Sequence, residues 1–200
     1  MTTHAIIGSG NIGGALAAHF GRKHIEVWVA NKSGPVSLEK LVKEFGSSIK
    51  PVLLREALRA DIVFLAVPFS AVSEAVREAR DWGGRIVVDA TNAVRVPATE
   101  LGGRLSTEVI ADAVAGARVV KAFNTMFAAV LAQEPAQTGG NRVVFLSGND
   151  ERANGEVATL IERLGFAPVD LGRLTEGGRL QHFGAPLVGL NLVKYANPAR

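Results

Sequence analysis

Three glycines spaced as Gly8, Gly10 and Gly13 lie between a short apolar run and a helical pattern at the start of the chain. Residues 4–8 read as a buried strand ending in glycine. From Asn11 to about Gly21 the apolar positions Ile12, Leu16, Ala17 and Phe20 recur at helical spacing. A strand that turns this tightly into a helix reads as the opening of a βαβ unit, which commits the chain to strands alternating with helices. Residues 25–90 keep that alternation. Residues 25–30 form a second strand, closed by the polar turn of Asn31, Lys32, Ser33, Gly34 and Pro35. Ser37 is placed to cap a helix with Leu38, Leu41, Val42 and Phe45 on its inner face. A short segment at 49–52 and a helix around 53–59 lead into residues 61–67, apolar on both faces as a central parallel strand must be. A helix over 70–82 and a strand over 85–90 repeat the unit.

The second half is looser. Residues 105–115 read as a helix, 118–123 and 143–147 as strands, and Gln133 to Asn141 as a loop. Asp150 caps a helix that runs to about Leu164 and is stopped by Gly165. Residues 168–171 are a short last strand, and 187–195 a final helix. The pattern predicts an α/β fold: a doubly wound, mostly parallel sheet with helices on both faces, in one domain over residues 1–200.

Composition removes several function classes. There is no cysteine among the 200 residues, so disulfides and thiol chemistry are excluded, and the setting expected is the cytoplasm. The formal charge of +3 comes from interleaved acids and bases, which gives no nucleic-acid patch. Glycines break the first apolar run, so no signal peptide is expected, and no stretch is apolar enough to span a membrane. The four histidines, His4, His19, His24 and His182, lack metal-ligand spacing, and no metal is expected.

A glycine triplet between strand and helix has a specific chemical use. Gly8 permits the tight turn, Gly10 lets a pyrophosphate approach the backbone, and Gly13 lets helix and strand pack closely. Free amides at the helix start then face the phosphates, with Ser9, Asn11 and Ile12 in the same turn. Where the second strand ends, an enzyme selecting NAD usually has a carboxylate on the ribose hydroxyls. Here Asn31, Lys32 and Ser33 stand instead. They carry no negative charge to repel the 2′-phosphate of NADP and offer hydrogen bonds and one cation to hold it. A neutral turn of this kind also admits NAD, and the balance favours NADP(H).

Ligands of such sheets lie over the carboxyl ends of the strands. Those ends are Ala66, Val67, Pro68 and Phe69, then Asp89, Ala90, Thr91 and Asn92, then Ala122, Phe123, Asn124 and Thr125. Pro68 is placed to border the ribose and diphosphate, and Thr91, Asn92 and Asn124 to fix a carboxamide. Strand or helix termination is the bland alternative for Pro68, Thr91 and Asn124. No acid–base catalytic set is visible, so no catalytic residue is assigned. Lys121 and His182 are the side chains closest to being candidates. Hydride exchange between a nicotinamide and a second flat ring asks for alignment and exclusion of water more than for proton donors.

Several segments together carry a resemblance. GSGNIGGALA at 8–17, VANKSGP at 29–35, VVDATN at 87–92, VVKAFNTM at 119–126 and LIERLGFAPVDLGRLTEGGRLQ at 160–181 resemble the coenzyme F420-dependent NADP oxidoreductase family. The oxidoreductase domain of the six-transmembrane ferric reductases is similar in the KAFN and GF-PVD-G patterns. The resemblance implies a Rossmann domain with a small C-terminal elaboration, a dinucleotide-binding core over 1–125 and a segment over 126–200 that closes the substrate cleft. It also implies a homodimer, and hydride transfer between NADP(H) and a diffusible acceptor: F420, FMN or FAD. At the 2′-phosphate loop the family often has Ser-Arg, and Asn31-Lys32 departs from it. Two other functions fit the residues: NADPH-dependent reduction of a small imine or carbonyl, and a module that senses NADP(H) without turnover.

Overall fold

The computed structural model describes residues 2–79, 81–97 and 99–196. Strands β1 (His4–Ile7), β2 (Val27–Ala30), β3 (Ile49–Pro51), β4 (Ile62–Leu65), β5 (Ile86–Asp89) and β6 (Arg118–Ala122) are parallel, in the spatial order β3-β2-β1-β4-β5-β6. This is the Rossmann order, with the chain reversing direction across the sheet between β1 and β4. Side chains alternate between two cores. One holds Phe20, Phe64, Phe123 and Phe166 under α1 (Asn11–Arg22), α2 (Glu39–Phe45) and α7 (Glu151–Arg163). The other packs Trp82, Val72, Val76 and Ile110 with α3 (Leu54–Ala57), α4 (Val72–Val76) and α5 (Ser106–Ala113). Burial on both faces explains why these strands read as unbroken apolar runs.

The remaining elements gather around one long strand. Between β6 and α7 come α6 (Ala128–Leu131), the two-residue strand β7 (Ala136–Gln137) and β8 (Gly140–Gly148); β9 (Ala167–Asp170), α8 (Gly177–Gln181) and β10 (Val193–Tyr195) follow. Strand β8 is antiparallel to β6 and outruns it, pairing only residues 146–148 there. Further along the same edge it pairs with β10, beginning with the Val143 amide on the Leu192 carbonyl. Its other edge takes β9 and β7, with the Leu171 amide on the Leu146 carbonyl. No helix among the described residues is long and apolar enough to cross a membrane.

Five local expectations are corrected. Residues 193–195 are a strand, not the end of a helix over 187–195, because the free edge of β8 takes them as a partner. Strand β9 is therefore not the last. The stretch 133–141 contains β7, in a hairpin with β8, rather than being loop throughout. Ser37 caps nothing: Pro35 starts a 3-10 turn before it, and its hydroxyl bonds Asn31 and the Gly34 carbonyl. The helix expected over 70–82 begins as a 3-10 turn and its α-helical part stops at Val76; residue 80 of that range lies outside the described residues. By contrast, the Asp150 carboxylate accepts the Ala153 amide at 2.8 Å, and Gly165 ends α7 at φ +96°.

Candidate functional site

The glycine turn shows why each of its glycines is there. Gly8 has φ +107°, and a side chain on it would put Cβ 2.3 Å from the Ala66 carbonyl oxygen. At Gly13 the added carbon would lie 2.0 Å from the Gly8 oxygen. Both positions are closed to any larger residue by the protein's own backbone. Gly10 differs: its backbone is extended (φ −73°, ψ −165°), and nothing lies within 4 Å of the added Cβ. Neither strain nor packing demands glycine there. A Cβ at Gly10 would project into open space at the start of α1, and in dinucleotide-binding folds that position is where a pyrophosphate approaches the backbone. The residues present fit a dinucleotide.

That space opens into a cleft of about 610 Å³. Its borders include Gly8, Ser9 and Gly10 from the turn, Asn31, Lys32 and Ser33 from the end of β2, and Ala66, Val67 and Pro68 from the end of β4. Backbone bonds hold these strand ends in line: the Gly8 amide donates to Ala30 and the Ala66 amide to Ile7. Leu54 and Ala75 add an apolar wall, and Glu74, Arg77 and Glu78 line the same cleft from α4 and just beyond it. Asn11 and Ile12 stand at the start of α1 beside it, and Gly13 lies buried beneath. Asn31 is less available than its sequence position suggests. Its amide nitrogen donates to Ser9 Oγ at 2.9 Å and Ser37 Oγ at 3.0 Å, and its oxygen accepts the Ser33 amide at 2.9 Å. It braces the glycine turn against the β2 loop.

The second group of expected residues forms a separate floor at the ends of β5 and β6. Asp89 is fully buried and pairs with the equally buried Lys121, Nζ to Oδ2, at 2.9 Å. Asp89 Oδ1 also accepts the Thr91 amide and hydroxyl, while Lys121 Nζ donates to the Thr91 carbonyl at 3.1 Å. Lys121, ambiguous in the sequence, thus faces a strand neighbour rather than the open cleft. Asn92 and Asn124 clasp each other: Asn92 Nδ2 donates to the Asn124 carbonyl at 2.7 Å and Asn124 Nδ2 to Asn92 Oδ1 at 3.0 Å. Ala122 and Phe123 are buried, and the Phe123 ring sits in the aromatic core, so only their backbone is offered at the floor. Phe123 holds φ +63°, a strained value for a bulky residue that reverses the chain just as β6 ends.

Gln181 completes this floor and was not singled out from sequence. Between β6 and β10 the edge of β8 leaves the Phe145 carbonyl without a strand partner, and Gln181 Nε2 donates to it at 3.2 Å. The same side chain accepts the Ser147 hydroxyl at 2.6 Å and donates to the Lys121 carbonyl at 3.3 Å. Its own carbonyl accepts Asn124 Nδ2 at 2.7 Å. The signal was the Gly-Gly pair ahead of it. A Cβ on Gly177 would lie 2.6 Å from the Cβ atoms of Leu171 and Ser147, so only glycine lets α8 dock this closely. Asp89 stood in the sequence only as part of a strand end, with no role, because the lysine that makes it half of a buried ion pair lies 32 residues on.

Among the described residues no group of three or more potential metal ligands forms. His182 follows Gln181, and its Nδ1 is buried without a partner. Burial, then the Lys121 charge, push its pKa below the usual histidine value. His19 is buried in the first core with Nε2 on the Leu131 carbonyl, and burial lowers it as well.

Residues 3–93 match the family model described as NADP oxidoreductase, coenzyme F420-dependent. That match covers a little under half of the chain, which is similar to the family over its N-terminal units. The chain is 55% identical to a hypothetical protein of Sinorhizobium meliloti whose crystal structure superposes with a TM-score of 0.93, over 97% of this chain and 96% of the other. A structure from Arthrobacter sp. FB24, presented as a candidate F420-dependent NADP-reductase, has a TM-score of 0.74 at 22% identity, covering 97% of this chain and all of that one. That level of identity speaks for the fold. Metalloreductase STEAP3 of Rattus norvegicus is 26% identical over 177 residues, 88% of this chain and 35% of that protein. The chain thus spans about a third of the length of the curated relatives it matches.

Proposed function

We propose that the protein moves hydride between the nicotinamide of NADP(H) and a flat-ring acceptor, F420 or a flavin such as FMN or FAD. The observation that carries this reading is the locked floor at the ends of β5 and β6. Lys121, the lysine nearest to it, is engaged by Asp89 and the Thr91 carbonyl inside the protein. A buried ammonium so held is poorly placed to deliver a proton, and hydride exchange between rings needs none from a side chain. When bound, the dinucleotide supplies the hydride. The chain's own residues then bind and orient: Gly10 leaves room for the pyrophosphate, Lys32 and Ser33 border the 2′-phosphate, and Val67 and Pro68 line the ribose. Backbone at Ala122 and Phe123, with the Asn92–Asn124 clasp, forms a rigid base for the ring. The reading takes residues 126–200, of which 197–200 lie outside the described residues, as the segment that closes the substrate cleft, and the protein as a cytoplasmic homodimer.

The test offers FMN, FAD and F420 separately to the purified protein with NADPH and follows NADPH absorbance. Loss of absorbance with at least one acceptor is expected. Tight NADPH binding without turnover on any of them would instead make the protein a sensor. A second reading, reduction of a small imine or carbonyl, rests on the unpartnered Nδ1 of His182. It predicts turnover with cyclic imines or small ketones that falls when His182→Ala is made, with flavin turnover absent.

A further inference from the structure

The loop at the end of β2 is a weaker phosphate holder than its sequence suggests. A 2′-phosphate is a dianion with several strong acceptor oxygens, and it is best held by charge-assisted and bidentate hydrogen bonds. The amide hydrogens of Asn31 go to Ser9 and Ser37, and the Ser33 amide goes to Asn31. That leaves the Lys32 ammonium and the Ser33 hydroxyl, a point charge and one neutral donor, with no planar fork.

A guanidinium lies across the same cleft. Arg77 follows the early end of α4 and lines the cleft with Lys32 and Ser33. Were the helix to continue as its sequence pattern suggests, Arg77 would be one more exposed helical residue. Its present partner is Glu74, one turn back at 3.2 Å, and both side chains are 70% exposed. Exposed pairs of this kind are weak, so the arm can be redirected at little cost. Charge balance points the same way. Among the described residues, the cations lining the cleft are Lys32 and Arg77, and the anions are Glu74 and Glu78. Without Arg77 these described lining residues would sum to a net negative charge, a field hostile to a phosphate.

We propose that Arg77 is a specificity-determining residue of the nucleotide cleft: it supplies the guanidinium for the 2′-phosphate that the β2 loop lacks, and Glu74 competes for it. The inference rests on the NADP(H) reading of the cleft. The probes are 2′,5′-ADP and 5′-AMP, which differ at that phosphate alone and make no demand on the acceptor side. Their binding is measured by calorimetry for the wild type, Arg77→Ala, Arg77→Lys and Glu74→Gln, with thermal unfolding to confirm that each variant folds. Arg77→Ala is expected to weaken 2′,5′-ADP roughly tenfold, the weight of one charge-assisted contact, and 5′-AMP less than about twofold. Arg77→Lys restores part of the loss, and Glu74→Gln tightens 2′,5′-ADP. Equal losses on both probes, or none, in a wild type that prefers 2′,5′-ADP would overturn the role of Arg77 and leave the NADP(H) reading standing. A wild type that binds both probes alike takes down the reading and the inference together.

Discussion

The cleft at the glycine turn and the floor at β5 and β6 lie along the same carboxyl end of one sheet, yet they are built in opposite ways. The cleft is lined by glycine backbone and by exposed ends of long side chains, Lys32 among them. At the floor, Asp89, Lys121, Thr91, Asn124 and Gln181 are all buried and bonded to one another. The first region keeps donors available; the second uses its donors to fix the positions of two strand ends. Polar residues at a strand's carboxyl end are therefore of two kinds, and residue type alone does not separate them.

The sharpest way to break this contrast is at the floor. Replacing Lys121 with Met leaves the Asp89 carboxylate buried without its cation and is expected to destabilise the fold by about 3–5 kcal/mol in chemical denaturation. The double variant with Asp89→Leu should recover a good part of that loss, since both charges then leave together. In the cleft the effects divide between glycines. Gly8→Ala meets the Ala66 carbonyl in a left-handed conformation and should lower stability by at least about 1–3 kcal/mol. Gly10→Ala should leave stability within about 0.5 kcal/mol while NADPH affinity falls at least roughly tenfold. Equal stability losses at Gly8 and Gly10 would erase the distinction between them.

Charge at the β2 loop gives a smaller, more selective effect. Lys32→Asp should weaken NADPH by roughly ten- to a hundredfold more than NADH, read from paired titrations. The last prediction concerns pH. His19 and His4 have their pKa values lowered by burial from 6.5, so the unfolded chain takes up protons at a higher pH than the native one. Stability should be flat above about pH 7 and fall as the pH drops below 6.5, by at most about 1.4 kcal/mol per pH unit for each histidine. His19→Gln should flatten that slope in pH-dependent denaturation; an unchanged slope assigns it elsewhere.

The N-terminal units were legible because their signals are local. Gly8, Gly10 and Gly13 lie within one turn of their strand, and Asp150 sits three residues from the amide it caps. The failure at the C-terminal strand has a different cause: a distant partner overrode local pattern. Strand β10 has helix-like apolar spacing before it, and only the unpaired end of β8, some fifty residues earlier, makes it a strand. Ser37 lost its capping role locally: Pro35 opens a 3-10 turn before it, and its hydroxyl bonds Asn31 six residues back. Asn92 and Asn124 were visible as polar strand-end residues; that they hold each other across the gap between β5 and β6 was not.

Gln181 has a consequence for motion. Its side chain fills a missing rung between β6 and β10, and its backbone anchors Asn124. A chain segment secured in this way does not lift as a hinged flap; to leave, it must surrender several buried hydrogen bonds at once, which is local unfolding. The tempo of any opening there is set by how often those bonds fail together, and amide exchange across residues 177–182 is the clock that would read it.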